Sequence, residues 1–119
     1  MIYDVMMWND KIGELEYTDS GSRFDLRLVC GDLAKIPYDM QLRFENGNTL
    51  ETEAVMDWIL DRIVPETQEG VLENLKGVGI DSYDPWVIFK SASGISMMDQ
   101  VWVKFSPEST YESTHAWRK

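Results

Sequence analysis

Asp57 and Asp61 stand four residues apart within a helically periodic stretch, a spacing that brings two carboxylates to one side of a helix, where they could share a proton or a cation. No histidine or third carboxylate falls in register with them, so the pair lacks a metal ion's ligand set and reads as a solvated helix side. The other reactive groups are isolated. His115 is the sole histidine and lies in the C-terminal stretch SPESTYESTHAWRK, which leaves no partner for a Ser-His or Cys-His dyad in the core pattern. Cys30 is the sole cysteine, so neither an internal disulfide nor a cysteine-based zinc site can form, and the residue reads as a small core side chain. Gly77-Val78-Gly79 follows a helical pattern and lacks the third glycine of a dinucleotide loop, which makes it a helix terminator. The expectation is a protein that is not an enzyme, with no catalytic, cofactor-binding or metal residues and no cofactor.

Charge is the global property that departs from the ordinary. The 119 residues carry 21 Asp plus Glu against 11 Lys plus Arg, a net charge of −10. Such an excess repels phosphate backbones and acidic membrane surfaces, so direct nucleic-acid or membrane binding is not expected. It would be attracted to a basic groove on a protein partner, including one that normally holds nucleic acid. The residues best placed to supply that face are Glu51, Glu53, Asp57, Asp61, Glu66, Glu69 and Glu73, candidate partner-binding positions. The same seven could equally be a solvated surface that serves solubility.

The elements behind these groups read as α+β: an N-terminal antiparallel β-meander, two to three central helices and a C-terminal strand. Ile2 to Trp8 and Lys11 to Tyr17 form a hairpin about Asn9-Asp10, with Gly13 marking a bulge that resets the register. Phe24, Leu26, Leu28 and Cys30 alternate on a third strand. Residues 31–47 give no clear pattern. Asn48 or Thr49 would cap a helix carrying Glu51 and Glu53 in its first turn, with Leu50, Ala54, Trp58 and Arg62, flanked by Val55, Ile59 and Ile63, on its inner stripe. Val71, Leu72, Leu75 and Val78 give a second helix, pairing with the first.

Asp84-Pro85 opens a third helix that Ser93-Gly94 closes. Ser96 and Asp99 then suggest a one-turn cap, and Val101 to Phe105 a half-buried strand. Trp58, Phe89 and Trp102 should be buried. Residues 1–105 are expected to form one domain and 106–119 a polar tail that docks weakly at most through Tyr111, His115 and Trp117. No apolar run reaches the roughly 20 residues of a membrane span, and the N-terminus lacks the basic region of a signal peptide, so a cytoplasmic protein is expected.

Trp58, Asp61-Arg62, Pro65, Gly70, Leu75, Gly79, Gly94, Ser96, Asp99-Gln100 and Trp102, together with the opening YDVMMWNDKIGELEY, resemble an accessory region that precedes the kinase domain in some HipA-like proteins of Gram-positive bacteria. The resemblance spans most of the chain and implies a shared module, here without the kinase's phosphate-binding and catalytic loops, as a free-standing copy. Two functional expectations follow. The first is an acidic protein that binds and modulates a partner, similar in size and charge to phage or mobile-element anti-CRISPR inhibitors that occlude a basic nucleic-acid-binding surface. The second is an accessory module for a HipA-like kinase toxin encoded separately. An unrecognised enzyme ranks third.

Overall fold

In the computed structural model, which describes residues 1–20 and 22–115, the chain is α+β. Strands β1 (Ile2–Met7), β2 (Asp10–Thr18), β3 (Arg23–Leu28), β4 (Thr49–Glu51) and β5 (Val101–Lys104) form one antiparallel sheet in the order β4-β3-β2-β1-β5. Helices α1 (Tyr38–Arg43), α2 (Thr52–Leu60), α3 (Val71–Gly77), α4 (Pro85–Ser91) and α5 (Tyr111–Thr114) complete it, with a 3-10 turn at Leu33–Lys35. No helix among the described residues is long and apolar enough to cross a membrane.

The meander is built as its alternation dictates. Tyr3, Leu15, Leu26 and Leu50 sit opposite one another across β1 to β4, so one pleat surface is a continuous apolar row that α2 and α4 cover. The bulge falls at Ile12, between Val5–Gly13 and Met6–Lys11 pairs, and its carbonyl accepts hydrogen bonds from both Val29 and Cys30. Gly13 is required by close approach: a Cβ there would lie 2.5 Å from the Arg27 carbonyl oxygen. Val55, Trp58 and Ile59 of α2 and Phe89 of α4 enter the core, and Trp58, Phe89 and Trp102 are 1%, 0% and 0% exposed. Trp86 of α4 gathers Tyr3, Tyr17, Phe24 and Phe105 into an aromatic cluster with ring centroids 4.9 to 6.3 Å away.

The punctuation of α4 is as its residues require. Asp84 Oδ1 accepts from the Trp86 and Val87 amides, Pro85 occupies the first helical position, and Ser93 and Gly94 turn left-handed with φ of 53° and 67°. Gly94 also admits the Phe89 ring, whose Cζ would stand 2.8 Å from a Cβ.

Three expectations are corrected and one open stretch is resolved. Thr49–Glu51 is a strand, because Leu50 buries itself opposite Leu26, so α2 begins at Thr52 and Glu51 stands at its cap position without a side-chain cap bond. The unpatterned stretch holds the 3-10 turn and α1, too short to display a helical stripe. Helix α3 packs through Val71 and Leu75 on Ile80 and on Ile88 of α4, with Ile63 and Val64 at the margin, so its pairing is with α4 rather than along α2.

The third correction concerns β5 and the tail. Val101, Trp102 and Val103 are all buried, so the strand is covered on both sides. Val101 and Val103 join the core, while Trp102 meets the ring of His115, which is only 3% exposed. The edge of the strand is closed where the Val103 amide donates to the Ser93 carbonyl. Over its described part, then, the polar tail is a docked element. Tyr111 lies 4.6 Å from the Trp8 ring, and Asn9 at the hairpin turn binds α5 twice, accepting from the Tyr111 amide and donating to Glu112. Trp117, Arg118 and Lys119 lie outside the described residues.

Candidate functional site

The sheet's outer surface mixes both signs of charge in ion pairs. Lys11 contacts Asp4 and Glu14, and Arg27 reaches Glu14 and Glu16. The Lys11 pKa is raised, first by its hydrogen bond to Glu14 and then by that to Asp4.

Residues 51–73 differ. They hold Glu51, Glu53, Asp57, Asp61, Glu66, Glu69 and Glu73, all exposed, against a single cation, Arg62. That cation is turned inward. Its side chain is 5% exposed, Nε donates to the Gly94 carbonyl at 2.8 Å, and the two terminal nitrogens grip Asp99 at 2.9 and 2.8 Å, one also donating to the Val101 carbonyl at 2.7 Å. Its guanidinium carbon lies 5.2 Å from the centre of the Trp58 ring. Asp99 accepts the Val101 amide as well, so one buried pair fixes the end of α2 to the turn that launches β5. No helical turn follows Ser96: its hydroxyl accepts from the Met98 amide at 3.2 Å in a turn, and the Asp99 carboxylate serves Arg62 and the Val101 amide, which corrects the one-turn cap expected there.

The seven carboxylates fall into separate groups. Glu51 ends the sheet edge opposite Asp25, and Glu53 and Asp57 are one turn apart on α2. Glu66 and Glu73 border one depression of about 500 Å³ beside Tyr83, and Glu69 precedes Gly70 at the start of α3. Asp61 alone is engaged, by Arg43, which also holds Asp39 Oδ2 at 2.9 Å. Partial burial lowers the Arg43 pKa, but Asp39 and Asp61 outweigh it and the net shift is upward. Among the described residues no cation comes within ion-pair distance of the other six.

Asp39 and Asp61 also border a cleft of about 420 Å³ that continues over Tyr38, Trp58, Arg62, Met98 and Asp99. The sequence carries no signal for this cleft, because α1 is too short to show a stripe and the roles of Arg43 and Asp99 depend on partners distant in sequence. Beside these charged groups its rim carries two exposed apolar side chains, Met98, 89% exposed, and Tyr38, 73%. The Trp58 indole nitrogen is buried and has no hydrogen-bond acceptor among the described residues.

The other groups with chemical potential are held in local contacts. His115 Nδ1 lies 2.8 Å from both the Tyr111 carbonyl and the Thr114 hydroxyl, with its ring stacked on Tyr111. Cys30 is half-buried beside the core. Gly79 closes α3 with φ of 85°, while the Ile80 amide returns to the Leu75 carbonyl. Among the described residues, no three His, Cys, Asp or Glu side chains group as metal ligands.

No protein family, curated protein or solved structure matches this chain. The resemblance to the HipA-like accessory region therefore rests on the residues that carry it.

Proposed function

We propose that this chain is a protein-binding module whose acidic surface over residues 51–73 engages a basic surface on another protein and so modulates that partner. The observation that carries the reading is the withdrawal of Arg62. The segment's one cation is turned inward onto Asp99, so Glu51, Glu53, Asp57, Glu66, Glu69 and Glu73 are exposed with no ion-pair partner among the described residues. A field of that sign speeds encounter with a basic surface and excludes nucleic acid from the same place. A groove that otherwise holds nucleic acid is the partner chemistry it fits, which keeps an inhibitor of a nucleic-acid-handling enzyme, anti-CRISPR-like in action, within the proposal.

The test uses the immobilised chain and a panel of basic nucleic-acid enzymes, RNA-guided nucleases among them, at low and high ionic strength. Binding at low salt that weakens as salt rises, and that is lost when Glu53, Asp57, Glu66 and Glu69 are changed together to Lys, is expected. Retention by that variant would remove the acidic surface from the account.

A second reading, an accessory module for a kinase of the HipA-like type, has its own support. Trp58, Arg62, Gly94 and Asp99, four of the residues that carry the resemblance, meet in one network. Co-purification with a kinase-fold chain encoded beside it, with no effect on nucleases, would favour this reading over the first.

A further inference from the structure

We propose that the cleft bordered by Tyr38, Asp39, Asp61 and Met98 is the docking point for a partner segment in which a cationic side chain neighbours a large apolar one. The inference rests on the protein-binding reading and names the part of the partner that is recognised.

The cation half of the argument comes from Arg43. Its side chain is 20% exposed, beneath Asp39 and Asp61, whose side chains are 66% and 67% exposed. It takes the Oδ2 atom of each, leaving both Oδ1 atoms without a hydrogen bond among the described residues. One guanidinium between two carboxylates leaves one negative charge, and Arg62, the other cation at the cleft, is neutralised by Asp99. A second cation would therefore meet two carboxylates already held in place, so little ordering entropy remains to oppose binding.

The apolar half comes from Met98 and Tyr38, the large side chains most exposed at the rim. The backbone at Met98 is fixed, since its amide donates to Ser96 and the next residue, Asp99, is anchored by Arg62. A flexible, polarizable methionine on a rigid base adapts to varied apolar partners. The cleft, about 420 Å³, is large enough for more than one side chain.

Charge also selects among occupants. An anionic ligand would face Asp39 and Asp61, and a second copy of this chain would bring a net charge of −10 to a surface of the same sign. A basic, apolar protein segment meets neither obstacle.

The experiment records amide and indole NMR shifts of the whole chain on titration with an amidated peptide alternating Arg and Leu. Peptides alternating Glu with Leu and Arg with Gly are the controls. Expected are shifts at Tyr38, Asp61, Met98 and the Trp58 indole with the Arg-Leu peptide, and much weaker ones with either control. Met98→Ser, at a side chain too exposed to matter for folding, should weaken binding roughly tenfold, as loss of one buried methionine implies. Equal binding of the Glu-Leu peptide, or an unchanged affinity in Met98→Ser, overturns the proposal. Shifts confined to residues 66–73 overturn the cleft while leaving the acidic surface standing. No binding at all also overturns the cleft, and the enzyme panel with its charge-reversed variant judges the acidic surface separately.

Discussion

Arg62 and Asp99, 37 positions apart, meet as a bidentate pair with 5% and 16% of their side chains exposed, and the arginine also donates to the carbonyls of Gly94 and Val101. The pair holds the end of α2 against the start of β5. Asp99→Ala would leave a buried guanidinium facing two carbonyls and no counter-charge, a loss of about 3–5 kcal/mol. Denaturant unfolding measures it. The double variant Arg62→Met with Asp99→Leu, which removes both charges, should lose less than Asp99→Ala alone. A larger loss would show that the pair itself, rather than the stranded cation, carries the stability.

Gly13 packs its α-carbon against the β3 backbone, where a methyl group would lie 2.5 Å from the Arg27 carbonyl oxygen. Backbone cannot move aside as a side-chain tip can. Gly13→Ala should therefore cost on the order of 1–3 kcal/mol and loosen the β2–β3 pairing. Hydrogen exchange at the Val29 and Cys30 amides, which share the Ile12 carbonyl at the bulge, would report it as faster exchange.

Tyr83 donates its phenol to the Val64 carbonyl, and its pKa is raised, first by burial and then by the charge of Glu66. A phenol whose folded pKa exceeds its unfolded value of 10.0 favours the folded state below that pH, and the contribution is lost as pH rises through the folded pKa. Stability should accordingly fall above about pH 10. Tyr83→Phe should cost about 1 kcal/mol at neutral pH and make that alkaline fall shallower. An identical fall in the variant would assign it to other groups.

What was legible in the sequence was local. Asp84-Pro85 and Ser93-Gly94 bracket α4 because a side-chain cap and a left-handed stop act within a few residues, and the alternation of Phe24, Leu26 and Leu28 reports the pleat directly. Spacing alone aligns Arg62 with the inner stripe of α2, although the helix ends at Leu60, yet its partner was not legible, because Asp99 lies in a turn that only the fold brings near. The cleft was hidden for the same reason. Asp61 reads as part of a solvated helix side until Arg43, from a six-residue helix with no visible stripe, reaches across to it. Thr49–Glu51 was misread because a cap signal and a three-residue strand use the same polar and β-branched types, and burial of Leu50 against Leu26 decides between them.

The described part of the tail carries a fold contribution that its polarity conceals. Asn9 supplies the acceptor for the first helical amide of α5, Tyr111 covers the Trp8 ring, and His115 covers Trp102, whose indole donates to the Trp8 carbonyl at 2.6 Å. The hairpin turn, the last strand and α5 thus brace one another around two tryptophans. Removing 106–119 would expose one side of Trp102 and return the exposed amide of Asn9 to water, a loss on the order of 2 kcal/mol for the uncovered apolar area. Trp102→Ala, which also empties its site beside β1, should cost about 3–5 kcal/mol. Asn9→Ala separates docking from burial: it removes the side-chain hydrogen bonds to Tyr111 and Glu112 but leaves the rings, so its loss should be smaller than that of the truncation. Melting temperatures lowered most by Trp102→Ala, less by the truncation and least by Asn9→Ala would establish the bracing. A truncated chain as stable as the full one would return the segment to the polar tail its composition describes.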